Sequence, residues 1–522
     1  MFSLGTVTYQ GGTFKFQIEI VAGALTFILP IAGGGATYKS NFTVSWGDGN
    51  TSEITAYDDA DRTHTYAGIG TYDVEMSGVC QYFCFTDATV ADRNKMKKLL
   101  EFTGDIGFKV LDFYSCANLN TIVSLGTLRS LVTASNIFAR LPALTSIPVG
   151  LFDGCPAITN LANAFELCNN VALTTIPADL FKYNPLNASF NAVFSQCTYL
   201  TSIPADLFKY NTLVGNFVQA FYYCSNITSI PADLFKYNVA CTTFNITFQY
   251  TGVSSIPTDL FRYNTLVNNF TGTFKNTNLT TVPTDTFRYN TAVLNFAETF
   301  SGCTVLTTIP DDLFRYNTLV TSFSECFSTC SSLTAVPTDL FRYNTLVTNM
   351  SYAFNACSSL TTVPTDTFRY NTLVNSFARL FSVCSALASI PTDIFRYNTA
   401  VTSFAYCFNA CSSLTTVPAD LFKYNTAVTT FAQALTACTK LQLNKNIFYA
   451  DGEQGTRFLN KTVSFSICFS RASFTGTQGV APDLWNCNFG TGTPTKTNCY
   501  GGAGNSLTSL SNYADIPVAW RT

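Results

Sequence analysis

Charged residues are scarce in this chain, and their scarcity excludes several kinds of partner. Asp, Glu, Lys and Arg make up 12% of the 522 residues, and the formal net charge is −3. A nearly neutral chain without a basic run has no electrostatic attraction to nucleic acid or to an anionic membrane surface. We therefore expect neither partner, and we expect Thr, Ser and Asn to cover most of the surface.

Histidine is nearly absent, which argues against an enzyme. His64 is the only histidine, and the sequence offers no nucleophile with its base and no convergent set of unlike titratable groups. A zinc site would lack its usual histidine ligands in the rest of the chain, and Gly501–Gly504 has neither the residues nor the context of a phosphate-binding loop. We predict no enzymatic activity, no cofactor and no metal ion. His64 is expected to pack or to form a local hydrogen bond.

Long apolar runs are also missing. The longest, Ile18–Ile31, is interrupted by Glu19 and Gly23 and is too short to span a bilayer. The first residues lack the basic region and the apolar core of a secretory signal. We expect no membrane insertion. Either a signal has been removed, or the protein leaves its cell by another route such as virion assembly and lysis.

A regular spacing of prolines is the strongest positive signal. Eleven prolines follow one another at a first interval of 29 residues and then at intervals of 26 or 27, which is the signature of a repeat array whose units bury their apolar faces by stacking. The longer interval is explained by two extra residues in Cys168–Leu173. The prolines are Pro148, Pro177, Pro204, Pro231, Pro257, Pro283, Pro310, Pro337, Pro364, Pro391 and Pro418.

Each repeat contains one predicted strand and two predicted helical turns. In the copy around Pro337, the β-branched stretch Leu333–Val336 predicts a short strand that the proline ends. Asp339 suits the start of a helical turn, and Asn344 suits a left-handed residue that ends it. Phenylalanines four residues apart, such as Phe323 and Phe327, predict a second turn with both rings inward.

A strand followed by helical turns every 27 residues indicates an α/β repeat solenoid of the leucine-rich-repeat type. Stacking at about 4.8 Å per unit would give a parallel sheet on the order of 50 Å long. The run Ala353-Phe354-x-x-Cys357-x-x-Leu360-x-x-Val363-Pro364 resembles the BspA-like leucine-rich repeats. That resemblance covers roughly residues 105 to 440. Tyr250 and Asn276–Thr277 fall near the cysteine position in two copies, where we expect looser packing or a redirected loop.

The beginning of the chain has a different pattern. Alternating apolar residues in Phe14–Ile20 and Asn41–Ser45 predict strands, and Asp48-Gly49 suits a tight hairpin turn. The set Trp46–Asn50, then His64-Thr-Tyr66, then Gly70–Val74 looks like a PKD domain, a small immunoglobulin-like β-sandwich. The resemblance implies a spacer or docking unit.

These patterns predict four regions. They are a PKD-like β-sandwich at 1–85, an N-terminal cap with a degenerate repeat at 86–147, leucine-rich repeats at 148–440, and a loop-rich C-terminal cap at 441–522. Phe113–Ile122 carries the degenerate repeat. Caps are expected because a terminal repeat would otherwise expose an unpaired edge.

Eight of the chain's nineteen cysteines form one column of the repeat and need no oxidising compartment to explain them. A small, weakly polar side chain that recurs once per repeat is expected to fill a turn, so we predict that this column is buried and reduced, with disulfide, metal or redox use as the alternatives. The column comprises Cys197, Cys224, Cys303, Cys330, Cys357, Cys384, Cys411 and Cys438.

Two further columns mark the candidate binding surface. In six copies an aspartate precedes an arginine by three residues, as Asp339 precedes Arg342, which predicts surface ion pairs. A tyrosine follows each arginine, and stacked tyrosines beside arginine suit a sugar- or protein-binding stripe. The alternative is that each tyrosine packs against the next coil. The candidate binding residues are Tyr289, Tyr316, Tyr343, Tyr370, Tyr397, Arg315, Arg342 and Arg369.

Threonines on the predicted strands offer another surface. Thr281, Thr308, Thr362 and Thr416 would form a flat face of hydroxyl groups, suited to binding a glycan or ice, or simply to solvent exposure.

Together the patterns predict a non-enzymatic protein that recognises its partner through the repeats. The resemblance to repeat proteins of gut-bacterial surface coats and tailed-phage particles implies a phage virion component that binds a receptor. The N-terminal domain would attach it, in multiple copies, to other virion proteins, and a host-surface glycan or protein would be the ligand. The alternatives are a secreted bacterial surface adhesin and a purely structural virion decoration protein.

Overall fold

The computed structural model describes residues 11–470, 478–501 and 507–522. The chain divides into two compact units, Met1–Val253 and Ser254–Thr522, which are described separately. The strands are β1 Gly12–Ile20, β2 Thr26–Ile28, β3 Ser40–Ser45, β4 Thr51–Ile54, β5 Thr63–Thr65, β6 Gly70–Cys80, β7 Tyr82–Cys84, β8 Met96–Thr103, β9 Val110–Asp112 and β10 Thr121–Ile122.

Helical structure is confined to short pieces. The α-helices in the described residues are α1 Val90–Arg93 and α2 Val518–Arg521, and both lie outside the predicted repeats. The 3-10 turns are Ala32–Thr37, Ala60–Arg62, Phe85–Asp87, Leu484–Asn486, Leu507–Ser509 and Tyr513–Asp515.

The first unit begins with a six-stranded sheet in the order β10-β8-β1-β6-β3-β4. Its centre is β1, which pairs antiparallel with β6 and β8 and buries every second residue. Phe14 stacks on Phe102 of β8 at 4.5 Å between ring centroids. The strands predicted at Phe14–Ile20 and Asn41–Ser45 are confirmed as β1 and β3, and the latter forms a hairpin with β4.

The sheet extends past the predicted first domain. Strand β8 was assigned to the cap at 86–147, yet it pairs with β1, and β10 pairs parallel with β8. Strands β2 and β5 form a separate antiparallel pair, and β7 and β9 a parallel pair. The sheet therefore spans the predicted boundary at residue 85. The division into four regions and the PKD-like sandwich stay predictions.

The repeats form successive coils, but the predicted strand is much shorter than expected. Leu333–Val336 contributes one parallel bridge, between Ala335 and Thr362. A more regular column of bridges passes through the segment after the tyrosine, where Ser322, Asn349 and Ser376 pair in succession. Proline removes the next donor of the predicted strand, so that segment forms an isolated bridge rather than a continuous ladder.

The two predicted helical turns depart from an α-helix in different ways. The segment before Asn344 closes with i to i+3 hydrogen bonds, such as Arg342 N–H to Asp339 O at 3.1 Å, and does not continue as a helix. In the second segment, Glu325 and Thr329 have φ of 57° and 62°. Left-handed residues at this spacing interrupt a right-handed helix and turn alternate N–H groups toward the next coil, as Phe327 N–H to Ala353 O shows.

Aromatic rings fill the core of both units. The prediction that the paired phenylalanines point inward is confirmed, because Phe323 and Phe327 are fully buried. Rings stack on their counterparts in the neighbouring coil where both are aromatic, as for Phe300 and Phe327, whose ring centroids are 5.5 Å apart and whose planes differ by 8°. Met350 takes the place of a phenylalanine between Phe323 and Phe377, so that stack is interrupted there.

The cysteine column is buried, as predicted. The thiol of Cys357 donates a hydrogen bond to Phe327 O in the preceding coil at 3.2 Å, and the other column cysteines make the equivalent contact. At the two positions where looser packing or a redirected loop was predicted, buried Thr251 and Thr277 occupy the cysteine position and donate to the phenylalanine carbonyl of their own coil. The reduced state stays a prediction.

Candidate functional site

The residues predicted to bind lie together on the surface of the second unit. We call the surface formed by Arg262–Tyr263 and its counterparts through Arg396–Tyr397 the Arg–Tyr stripe. Its counterparts are Arg288–Tyr289, Arg315–Tyr316, Arg342–Tyr343 and Arg369–Tyr370. All eight predicted binding residues belong to it, and the stripe reaches across six successive coils.

The turn that carries each Arg–Tyr pair has buried residues on both sides of the pair. Leu340 and Phe341 are buried, whereas Arg342 and Tyr343 point outward. Asn344 follows, and its buried amide Nδ2 donates to Phe314 O at 3.1 Å and to Asn317 O at 2.9 Å in the preceding coil. The tyrosine therefore stands next to an anchored residue.

Arginines and tyrosines alternate along the stripe. The guanidinium carbon of Arg342 lies 5.8 Å from the ring centroid of Tyr343 and 5.5 Å from that of Tyr370 in the next coil. Arg315 bridges Tyr316 and Tyr343 in the same way, at 5.8 and 5.2 Å. The coils therefore touch at this surface through cation–π contacts. Each tyrosine packs against the arginine of a neighbouring coil, as the alternative expected, and a binding role for the tyrosines stays a prediction.

Ion pairs fix the arginines from the other side. Arg342 Nη1 lies 3.4 Å from Asp339 Oδ2, and the same i, i+3 pair recurs in every coil of the stripe. The surface ion pairs predicted from the spacing are confirmed. Attraction to Asp339 raises the pKa of Arg342, and the hydrogen bond to Asp312 raises that of Arg315. Solvent screens such pairs, so they orient the guanidinium more than they stabilise the fold.

Exposed leucines border the stripe. Leu346, three residues after Tyr343, is 43% exposed, and Leu319 and Leu373 occupy the same position in the neighbouring coils. Tyr370 is 39% exposed. The surface thus combines charged, aromatic and aliphatic groups on consecutive coils.

The first unit repeats this arrangement with lysine. Lys209 Nζ lies 5.8 Å from the ring centroid of Tyr210 and 5.9 Å from that of Tyr237, and it pairs with Asp206 at 3.2 Å. Lysine is a compact charge that cannot form the planar, two-pronged contacts of arginine. The two units therefore present the same pattern with different cations.

The buried asparagines are structural residues whose role sequence reasoning missed. Asn344 was predicted to adopt a left-handed conformation. It is instead fully buried, and its side chain forms a hydrogen bond to the preceding coil. At the end of the column, Arg457 Nη2 donates to Phe422 O and Asn425 O at 3.0 Å each, the two acceptors that another asparagine would use. Burial lowers the pKa of Arg457 to about 10. The unbroken recurrence of asparagine after tyrosine was the available signal.

The strand threonines and His64 are the remaining predicted features. The threonine side chains are all exposed, at Thr281, Thr308, Thr362 and Thr416. His64 Nε2 lies 2.8 Å from Asp48 Oδ2, and its ring stacks on Trp46 at 4.8 Å, which confirms the predicted local contact. Burial raises the pKa of Asp48, but hydrogen bonds from His64 and Asn50 outweigh it and lower that pKa overall.

Metal and membrane features are absent from the part of the chain that the structure describes. Among residues 11–470, 478–501 and 507–522, no three His, Cys, Asp or Glu side chains come together as a metal site would require. Within the same ranges, no helix has the length and apolar character needed to cross a bilayer.

Comparison with family models gives one match, to a family described as a Mycoplasma protein of unknown function, DUF285. It matches residues 268–393, 294–420 and 348–458. The starts of these three matches lie 26 and 54 residues apart, which corresponds to one and two repeats. Comparison with curated proteins finds no match.

Several solved structures resemble this chain at low identity. Toll in the Drosophila Toll–Spatzle complex is 15% identical with a TM-score of 0.39, over 76% of this chain and 57% of that one. The leucine-rich-repeat ectodomain of the Arabidopsis thaliana receptor kinase GASSHO1/SCHENGEN3 is 12% identical with a TM-score of 0.24, over 66% and 58%. A leucine-rich cell surface protein of Faecalibacterium prausnitzii is 15% identical with a TM-score of 0.19, over 67% and 86%. The chain thus spans little more than half the length of the first of these.

Proposed function

We propose that this chain is a non-enzymatic recognition protein and that it binds a partner protein through the Arg–Tyr stripe and its bordering leucines. The alternation of arginine and tyrosine over six coils carries this proposal. Tyrosine and arginine supply a large share of binding energy at protein interfaces. Exposed leucines add apolar surface that a partner would remove from water.

The rigidity of the stripe supports the same proposal. Arg342 is held by Asp339 and by two tyrosine rings, and Tyr343 is followed by the anchored Asn344. Side chains that are already ordered lose less conformational entropy when a partner binds. Contacts repeated on each coil would also add up over an extended partner.

We place the protein on a phage virion, where it would act in receptor binding and be present in multiple copies. The resemblance of the repeats to BspA-like proteins of bacterial surface coats and phage particles supports this location. The PKD-like N-terminal domain would attach it to other virion proteins, and many copies would strengthen weak single contacts. A secreted bacterial surface adhesin and a purely structural virion decoration protein are the alternatives. Mass spectrometry of purified particles and of washed bacterial cells would separate virion from cell-surface locations.

Selection from a random peptide display library on the full chain tests the recognition role. We expect enriched peptides to bind the wild type and to lose at least tenfold in affinity when Tyr316, Tyr343 and Tyr370 are all replaced by Ser. The control replaces Thr308, Thr362 and Thr416 by Ser on the exposed threonine face. Failure to enrich any peptide, or equal binding to the tyrosine variant, would contradict the proposal. A glycan panel run in parallel would reveal a sugar ligand.

A further inference from the structure

A second column of outward side chains differs from the Arg–Tyr stripe because its residue type changes from coil to coil. All of its members have positive φ, between 55° and 60°. A left-handed conformation costs a residue with a side chain on the order of 1–2 kcal/mol, and glycine or asparagine would relieve it. Gly272 does so one coil earlier, at φ of 60°, whereas the six coils that follow carry larger side chains at this position. The column comprises Glu298, Glu325, Tyr352, Arg379, Tyr406 and Gln433.

Arg379 is the centre of this column. Its guanidinium carbon lies 5.4 Å from the ring centroid of Tyr352 and 4.1 Å from that of Tyr406, so the two tyrosines enclose it from the neighbouring coils. Gln433 donates a hydrogen bond to the hydroxyl of Tyr406 and so fixes the outer ring. The three side chains form a half-buried ridge.

The charge of Arg379 is not neutralised. Arg369 from the same coil also lies over two tyrosines, but it pairs with Asp366 at 3.4 Å. For the Arg379 guanidinium, no carboxylate comes within 4 Å among the residues that the structure describes, and its side-chain N–H groups donate no hydrogen bond to them. The backbone N–H of Arg379 donates to Ala405 O at 2.8 Å. The guanidinium donors therefore remain available to a ligand.

The surroundings leave the ridge accessible. The residues that precede Tyr352, Arg379 and Tyr406 are Ser351, Ala378 and Ala405, which are small and half-buried. A ligand could therefore approach the guanidinium from the side. Glu325, one coil before Tyr352, also makes no ion pair with the described residues. It would repel an anion and direct it toward Arg379.

We propose that Arg379, held between Tyr352 and Tyr406, binds a carboxylate on an acidic segment of the partner protein. The proposal rests on the proposed function and adds the chemistry that the partner must carry. A planar guanidinium binds a carboxylate through two parallel hydrogen bonds. The guanidinium covers one face of each ring, which leaves a sugar less aromatic surface on which to stack. The arrangement therefore favours a peptide carboxylate over a glycan.

The test selects display-library peptides on the full chain and counter-selects them against Arg379→Gln. We expect the surviving peptides to share an Asp or Glu and to bind Arg379→Gln at least tenfold more weakly than the wild type. Replacing that Asp or Glu of the peptide by Asn or Gln should weaken binding to the wild type by the same factor. The altered peptide should bind Arg379→Gln no more weakly than it binds the wild type. Arg379→Lys, which keeps the charge, should weaken binding by at least threefold. Lys440→Gln, which removes an exposed charge elsewhere, should change affinity less than twofold.

Different outcomes separate this inference from the recognition role. If peptides depend on the stripe tyrosines but none distinguishes Arg379→Gln from the wild type, the inference is wrong and the recognition role stands. Discriminating peptides without an acidic residue would also overturn it. Binding of oligogalacturonate is measured in parallel, because this acidic glycan also carries carboxylates. If Arg379→Gln weakens oligogalacturonate binding and leaves every peptide unaffected, the peptide assignment is wrong.

Discussion

At the scale of single residues, the buried asparagine after each tyrosine is expected to be among the most sensitive positions. Asn344→Ala removes the two amide hydrogen bonds to Phe314 O and Asn317 O, which keep their backbone hydrogen bonds from Asn317 N–H and Val320 N–H. Two hydrogen bonds with a net value of roughly 0.5–1.5 kcal/mol each are together worth roughly 1–3 kcal/mol. We expect the free energy of unfolding to fall by about that amount in denaturant titrations. The neighbouring exposed Thr345→Ala is the control, and a loss no larger than that of the control would contradict the assignment.

The column cysteines give a prediction about pH. Burial raises the pKa of Cys303 to about 11 and that of Cys357 to about 12, from a usual value of 9.0. Above pH 9 the unfolded chain loses these protons before the folded chain does, so stability falls as pH rises. The contribution of these protonated thiols to the free energy of unfolding is complete below pH 9. It is lost as the pH rises through 11 to 12, at about 1.4 kcal/mol per thiol and pH unit.

A variant that lacks one column cysteine separates the effect of that thiol from the effects of other groups that titrate at high pH. We expect the stability difference between the wild type and Cys357→Ala to shrink between pH 9 and 11 in thermal melts. A difference that stays constant over that range would show that the thiol is not protected. Thiol titration of the denatured, unreduced protein should also find close to nineteen free thiols, and a much lower count would indicate disulfides.

At the scale of elements, the local patterns were predicted better than their backbone conformations. The inward direction of Phe323 and Phe327 followed from their spacing of four, which suits a helical face. The structure reaches the same result with left-handed residues at Glu325 and Thr329. Neither residue type favours that conformation, so no local rule could have found it. Contacts with the next coil impose it, and a single repeat carries no information about those contacts.

Two alanines in one coil test this description of the second segment. Ala356 has φ of 57°, whereas the buried Ala353 is not left-handed. Glycine adopts a left-handed conformation without strain, and this gain offsets its greater entropy in the unfolded chain. We expect Ala356→Gly to leave the melting temperature unchanged or to raise it, and Ala353→Gly to cost roughly 0.5–1 kcal/mol or more. Equal losses for both would indicate a helix after all.

At the scale of the whole molecule, the period was predictable and the long-range pairing was not. Regular prolines located the repeats, and the column of tyrosines and arginines located the candidate stripe, because side chains at one repeat position stack in space. The pairing of β8 with β1 joins residues between 78 and 90 positions apart, and the alternation within each strand does not specify its partner. Arg379 was missed because its position repeats while its residue type does not.

Hydroxyl-radical footprinting of the full chain, with and without a peptide selected through the Arg–Tyr stripe, tests the recognition surface most directly. Tyrosine side chains react with hydroxyl radicals according to their exposure, so a bound partner should protect the rings that it covers. We expect protection of Tyr316, Tyr343 and Tyr370, with the exposed Tyr199 and Tyr223 of the first unit unchanged. Protection confined to other tyrosines, or no protection at saturating peptide, would contradict recognition through the stripe.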